Sequence, residues 1–425
     1  MSEPGTTQDP QDAVQRVWRE ESARLVGALT RLTRDLALAE DLAQDALVAA
    51  LQQWPRDGVP DNPAAWLMQT AKRRAIDSFR RADTLRRRTT ELGQALEREE
   101  VDMPDLDAFV DHIDDDVLRL IFLTCHPALS PESRAALTLR LVGGLTVPEI
   151  ARAFLTKDAT VGQRISRAKK TLEGESIELP VGREREQRLD DVMGVLYLIF
   201  NEGYAATAGD DWTRPDLCAE AIRVTAMLAE VAPQEPDVHG LLALMALQAS
   251  RLHARSDAAG RPVLLEDQDR SLWDELMIRR GLAALDRAMT ISASGRPIGP
   301  YVIQGQIAAC HARAATPEET DWRGIADWYD LLAQLGDNPV VQVNRAVAHG
   351  RAYSPDEGLA VLADVADHRS LADSHLVDAV RGDLLSRAGR HVEAADSFDR
   401  AASLTGNEAE RAVLTARAVD ARSQG

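Results

Sequence analysis

The side chains best placed to do chemistry in this 425-residue chain are cationic, and they are bunched. Between Lys72 and Arg88 stand eight Lys or Arg against two acids, Asp77 and Asp83. A second group, Thr160, Gln163, Arg164, Arg167 and Lys170, recurs at steps of three and four. Guanidinium and ammonium groups at this density grip phosphates, while Arg, Gln and Thr also carry the donors and acceptors that read base edges. In a protein of net charge −19 such clusters need a partner that justifies them, and a nucleic-acid backbone is the obvious one. Covalent catalysis has no comparable support. The sequence holds no Ser/His/Asp order, no phosphate-cradling glycine loop and no paired-carboxylate arrangement. Cys125–His126 and Cys310–His311 invite a metal reading. Adjacent helical residues point about 100° apart, however, and no second pair stands at ligand spacing, so core or capping roles are expected, with no metal and no cofactor. Glu266, Asp267, Gln268 and Asp269 read as caps and ion pairs inside a helical array rather than as a cation site.

Helical periodicity must position both cationic groups. Leu67, Ala71, Ala75 and Phe79 recur every fourth residue, which predicts an amphipathic helix over 63–88 with one buried stripe. Lys72, Arg73, Arg80 and Arg81 then fall off that stripe. The loop PRDGVPDNP (55–63) precedes it, with Asn62 as the expected N-cap and Pro63 at the first helical position. Upstream, ALAEDLAQDALVAALQQW predicts a helix from about Ala37 to Trp54. Its Ala43, Leu47, Ala50, Leu51 and Trp54 should face inward, and Asp41, Gln44, Asp45, Val48 and Gln52 outward. A first helix beginning near Val14 carries a Leu25, Leu29, Leu32 stripe.

The second cationic group lies within LTVPEIARAFLTKDATVGQRISRAKKTL (145–172). Thr146 with Glu149 forms a capping box for a short helix whose buried side is Ile150, Ala151 and Phe154. After a break of about four residues, Val161, Ile165, Ala168 and Leu172 stripe a second helix. Two helices around a short turn, the second open on its Arg/Gln/Thr face, make a helix-turn-helix. Helices over 115–125 and 131–142, the latter capped by Ser130 and started by Pro131, should precede it.

Composition agrees. Apolar residues are 45%, aromatics 4%, and runs of strand-forming residues are rare, so the expected class is all-α. Residues 1–175 carry 24 bases and 29 acids, yet 91–116 alone holds eleven acids against Arg98. A mildly basic pair of blocks is thus split by an acidic tether, and the remaining 250 residues carry a net −14. Three cysteines without a CxxC, an N-terminus without an apolar core and apolar runs too short for a bilayer predict a cytoplasmic protein. From Pro180 the pattern is helical, with breakers near 201–216, 232–237, 256–262, 294–300, 316–321, 336–339 and 353–356. Residues 383–404, with Gly389, Ala395, Phe398 and Ala401, look like a tetratricopeptide-type hairpin, and 340–365 are a weaker echo.

Two blocks resemble one family. Residues 14–81 resemble the core domain, and 115–173 the −35-reading domain, of extracytoplasmic-function RNA polymerase sigma factors. AEDLAQDAL (39–47), WLMQTAKRRAIDSFRR (66–81) and the helix-turn-helix carry the likeness. The resemblance implies two small helical sigma domains (12–88 and 115–175), an acidic linker (89–114) and a helical, tetratricopeptide-like regulatory extension (180–425). It implies that Asp41, Gln44 and Asp45 contact the β′ coiled coil of core polymerase. The 55–62 loop, Asn62 included, would hold a flipped −10 base, and Arg73, Arg74, Arg80 and Arg81 would grip the −10 duplex. Thr160, Gln163, Arg164 and Arg167 would meet the −35 element, with Lys170 on phosphate. Core polymerase and promoter DNA are the expected partners, with a regulatory protein or ligand on the extension. Leu155 stands where the family has a turn glycine, and 176–425 has no counterpart in ordinary members. NEGY (201–204), LLEDQDRSLWD (264–274) and GPYVIQGQIAACHA (299–312) are similar to stretches of such an extension. The alternative reading is a helix-turn-helix regulator with a repeat-type interaction domain that never touches core polymerase.

Overall fold

The computed structural model describes residues 10–91, 113–154, 156–173, 175, 178, 180–204, 214–257, 263–366, 368–371, 374–406 and 408–424. Among these residues there are eighteen α-helices and no β-strand. The chain divides into two compact units, Met1–Leu198 and Ile199–Gly425.

The first unit contains α1 (Pro10–Thr33), α2 (Leu36–Asp57), α3 (Pro63–Glu91), α4 (Ile113–Thr124), α5 (Pro131–Leu141), α6 (Val147–Ala153) and α7 (Asp158–Leu172). The boundary between the units falls within α8 (Gly182–Tyr204). The Leu25, Leu29, Leu32 stripe of α1 is buried, and α1 packs on α2, α3 and α4. Arg34, at φ 54°, turns the chain into α2, where the Asp35 carboxylate accepts from the amides of Ala37 and Leu38.

On α2, Ala43, Ala50 and Trp54 are buried as expected, but Leu51 is 41% exposed. Ala39, Leu42, Ala46 and Ala49 fill the inward face instead. Small side chains let α1 come close, and the larger Leu51 is displaced from the contact. The helix also runs past Trp54 to Asp57, with Pro55 in its last turn. Leu67, Ala71 and Ala75 of α3 are buried, whereas Phe79 is only half-buried.

In the C-terminal half of this unit, Ser130 caps α5 and the reciprocal Thr146–Glu149 capping box opens α6. Burial pushes the Glu149 carboxyl up, but the Thr146 amide and hydroxyl and the Arg19 guanidinium outweigh it and hold it below the ordinary carboxylate range. Cys125 is buried 3.4 Å from the Thr138 hydroxyl, and burial pushes its thiol up to about 11. The neighbouring His126 ring lies 3.7 Å from Glu175. These two adjacent residues therefore serve separate contacts.

Carboxylates join the two halves of the unit. Asp116 of α4, fully buried, accepts from Arg31 of α1 at 2.8 Å and from Arg119 at 2.6 Å. A Cβ on Gly27 would lie 2.6 Å from the Asp116 carbonyl oxygen, so only glycine lets α4 sit this close to α1. Glu40 of α2 is paired with Arg140 of α5 at 2.9 Å and with Lys169 of α7. Arg19 of α1 reaches Glu149 of α6 at 2.9 Å.

The second unit continues with α9 (Pro215–Val231), α10 (Pro236–Ala249), α11 (Glu275–Ala293), α12 (Pro300–Arg313) and α13 (Trp322–Gln334). Then follow α14 (Pro339–Ala352), α15 (Pro355–Ala363), α16 (Leu376–Arg387), α17 (His391–Leu404) and α18 (Glu408–Gln424). Proline opens α9, α10, α12, α14 and α15, where its missing N–H costs no hydrogen bond. The breaker near 256–262 understates a connection that runs from Ser250 to Asp274 through short 3₁₀ turns.

Core clusters follow one another along the chain. One is built by α10, α11 and α12, the next by α12, α13 and α14, then α14, α15 and α16, and last α16, α17 and α18. Each helix shares its apolar face with near neighbours in sequence, the packing of a helical-repeat array. In the last hairpin Gly389, at φ 74°, makes the turn, and Ala395, Phe398 and Ala401 are buried.

Candidate nucleic-acid interface

The α2–α3 connection fixes the first cationic surface. Asn62 caps α3, its side-chain oxygen accepting from the Ala65 amide at 3.0 Å and its carbonyl from Trp66 at 3.1 Å. Trp66 meets Trp54 edge-on, with ring centroids 5.5 Å apart, so the end of α2 and the start of α3 are held as one corner. Asp57, Asp61 and Asn62 of the loop are exposed. Arg73, Arg80 and Arg81 on α3 are exposed too. Arg81 donates from Nε to the Asp77 carbonyl at 3.1 Å, which keeps its guanidinium close to the helix.

Arg74 is different. It is half-buried and forms an ion pair with Asp45 of α2 at 2.8 Å. A groove of about 440 Å³ runs between these helices, lined by Leu38, Asp41, Leu42, Asp45, Arg74, Ser78 and Arg81. Asp41 and Asp45 are exposed and Gln44 is half-buried on the same face of α2. Two residues expected to meet polymerase and two expected to meet DNA thus line one groove, with opposite charges opposed across it.

The helix-turn-helix supplies the second surface. The Thr156 amide donates to the Ala151 carbonyl at 2.9 Å, closing the turn between α6 and α7; Leu155 lies outside the described residues. Val161, Ile165, Ala168 and Leu172 are buried, so α7 is amphipathic as its spacing demands. Gln163, Arg167 and Lys170 are exposed, and their three- and four-residue steps put them on one face. Thr160 and Arg164 are half-buried. Arg164 lies close enough to Glu132 of α5 to help hold that carboxyl below its ordinary value, behind the larger effects of the Glu132 amide and Ser130.

Two participants escaped the sequence reading. Lys169, next to Lys170, does not project with it but pairs with Glu40. Arg140 reaches the same carboxylate and also donates to the Leu145 carbonyl at 3.0 Å. Glu40 sits beside Asp41 on a polar helix face, and no local signal distinguishes the buried carboxylate from the exposed one. Its 7% side-chain exposure is set by α5 and α7, whose Arg140 and Lys169 lie 100 or more residues away.

Comparison with known proteins agrees with this layout. The model for Sigma-70 region 2 matches residues 17–84, and that for Sigma-70, region 4 matches residues 119–172. A family of unknown function, DUF6596, matches residues 188–289. The chain is 44% identical over 396 residues to an uncharacterized protein of Rhizobium meliloti (strain 1021), covering 92% of this chain and 91% of that one. It is 31% identical over 162 residues to the ECF RNA polymerase sigma factor SigK of Mycobacterium sp. (strain KMS), covering 36% of this chain and 78% of that protein. It is 28% identical over 168 residues to the probable ECF RNA polymerase sigma factor SigI of Mycobacterium tuberculosis (strain ATCC 25618 / H37Rv), covering 38% and 54% respectively. Among the described residues no helix is long and apolar enough to cross a membrane. With region 2 on α1–α3, region 4 on α4–α7 and a further helical array after them in the chain, the chain belongs to the ECF group of the sigma-70 family and carries a C-terminal extension.

Proposed function

We propose that the chain brings core RNA polymerase to specific promoters and starts transcription, and that its C-terminal array regulates this. The carrying observation is that a region 2 and a region 4, in that order, each leave a polar or cationic helix face open. In this reading the domains are 12–88, 115–175 and 180–425, with 89–114 as an acidic linker through the polymerase cleft. Asp41, Gln44 and Asp45 clasp the β′ coiled coil. Asn62 and its loop, with Arg73, Arg74, Arg80 and Arg81, hold and open the −10 element. Thr160, Gln163, Arg164 and Arg167 meet −35 bases, and Lys170 meets phosphate. Binding energy opens the duplex without covalent chemistry by this chain, against an unstacking cost of about a few kcal/mol per base.

Geometry adds a requirement. Elements about 25 base pairs apart are separated by roughly 85 Å of B-DNA. A unit of 198 residues is only about 45 Å across. The half carrying α3 and the half carrying α7 must therefore part before both elements can be held, breaking the Glu40 and Asp116 contacts. The test is transcription by core enzyme with and without the purified chain. Promoter-specific transcripts only in its presence support the reading. Promoter DNA binding without capture of core enzyme identifies a regulator of another kind.

A further inference from the structure

Three stretches that the promoter-binding surfaces leave unused meet in the second unit. Tyr204 ends α8, the 250–274 connection joins α10 to α11, and His311 lies in the last turn of α12. The Arg255 guanidinium stacks 3.7 Å from the centroid of the Tyr204 ring, and Arg251 lies 5.7 Å from it. The turn at Leu252–Ala254 packs on the turn at Arg270–Leu272, and the Asp274 amide donates to the Ser250 carbonyl at 2.7 Å. Arg270 therefore comes beside Arg251. It donates to the carbonyls of His311, at 2.9 Å, and Ala314, and to the Thr320 hydroxyl at 3.1 Å. Arg351 of α14 lies 5.1 Å over Trp322, whose ring meets His311 edge-on at 5.3 Å.

Cations outnumber carboxylates in this place. Arg351 pairs with Glu266, but the same carboxylate also takes Arg387 at 2.8 Å. Arg251 and Arg270 make no ion pair among the described residues, although Glu318 and Glu319 lie near enough to Arg270 to act on its charge. Nε of Arg270, Nε of Arg351 and the indole N–H of Trp273 are buried without an acceptor. Burial, with Arg251, Arg270 and Arg351 beside it, drives the His311 imidazole down to about 3, so the ring stays neutral among them. All this lies in the part of the chain that carries a net −14, where a local excess of cations is least expected.

We infer that Arg251, Arg270 and Arg351, walled by Tyr204, Trp273 and Trp322, form a binding site for a small ligand bearing a carboxylate or phosphate group. Guanidinium forks match either oxyanion and gain strength in a partly desolvated setting. The half-buried Arg251 and Arg351 are the side chains a ligand meets first, and Arg270 holds the site's floor through its backbone acceptors. The site stands on the second unit's own geometry and does not depend on the transcription reading.

Calorimetric titration of the full chain with inorganic phosphate, and separately with citrate, tests this. Saturable binding of at least one is expected, with a Kd below about 1 mM. Binding of phosphate alone assigns the site to phosphoryl ligands, and of citrate alone to carboxylates. Arg251→Gln, which removes no hydrogen bond seen among the described residues, should weaken binding at least about tenfold. Arg279→Gln, in an exposed pair with Glu275, should leave it unchanged. Failure of both anions to bind overturns the inference. So does an undiminished affinity in a folded Arg251→Gln protein, because the anion then sits elsewhere.

Discussion

Replacing Glu40 by Gln tests whether the first unit must open. The carboxylate is 7% exposed and faces Arg140, at 17%, and Lys169, at 21%. Removing one partner of a buried ion pair costs about 3–5 kcal/mol, because the remaining charge keeps its desolvation penalty. Both cations here retain some water, so about 2–3 kcal/mol is the better figure. Most of that loss falls on the closed arrangement, since in the open one Arg140 and Lys169 return to solvent. The closed-to-open ratio should then drop by about 30- to 160-fold. The Asp116 and Arg19 contacts stay in place, so the unit loosens without losing either half's core. Spin labels at Gln69→Cys on α3 and Ser166→Cys on α7, both exposed, in a Cys310→Ser background, report the separation without polymerase. Glu40→Gln should populate a long-distance component that Glu21→Gln, in an exposed pair with Arg24, does not. An unchanged distance distribution with an unchanged melting temperature would refute the reasoning, since the pair would then contribute nothing to closure.

Asp41→Arg with Asp45→Asn should lower capture of core polymerase at least about tenfold, measured by pull-down at low salt, while promoter DNA affinity falls much less. Gln163→Ala with Arg167→Ala should cost about 1–3 kcal/mol of −35 discrimination, measured by competition with mutated promoters, and leave polymerase capture intact. Arg73→Ala should instead weaken DNA binding evenly across sequences and reduce the salt slope by about one. In the second unit, burial first and then the neighbouring Arg251, Arg270 and Arg351 lower the pKa of the neutral His311 from 6.5 to about 3. Below pH 6.5 the unfolded chain takes a proton that the folded one refuses. Stability is therefore full above that pH and falls on acidification towards pH 3, by at most about 1.4 kcal/mol per pH step. Denaturant melts from pH 7 to 4 should show this slope, and His311→Gln should flatten it.

Much of this protein is written locally. The Thr146–Glu149 box and the Ser130 and Asn62 caps need only their neighbours, so sequence alone placed these helix starts. Four-residue spacing likewise fixed which face of α7 is buried, and with it the exposure of Gln163, Arg167 and Lys170. Local signals failed where packing chose among equivalent residues. Leu51 and Phe79 carry the right period, yet alanines fill the buried faces of α2 and α3, while Leu51 is exposed and Phe79 only half-buried. Glu40 and Asp41 are adjacent acids, but only tertiary packing brings Arg140 and Lys169 onto the first and leaves the second open. The arginines gathered from the 250–274 connection and α14 share no spacing at all. Periodicity acts over a few residues, whereas their meeting depends on how the array stacks, and that is decided by contacts between helices up to about a hundred residues apart.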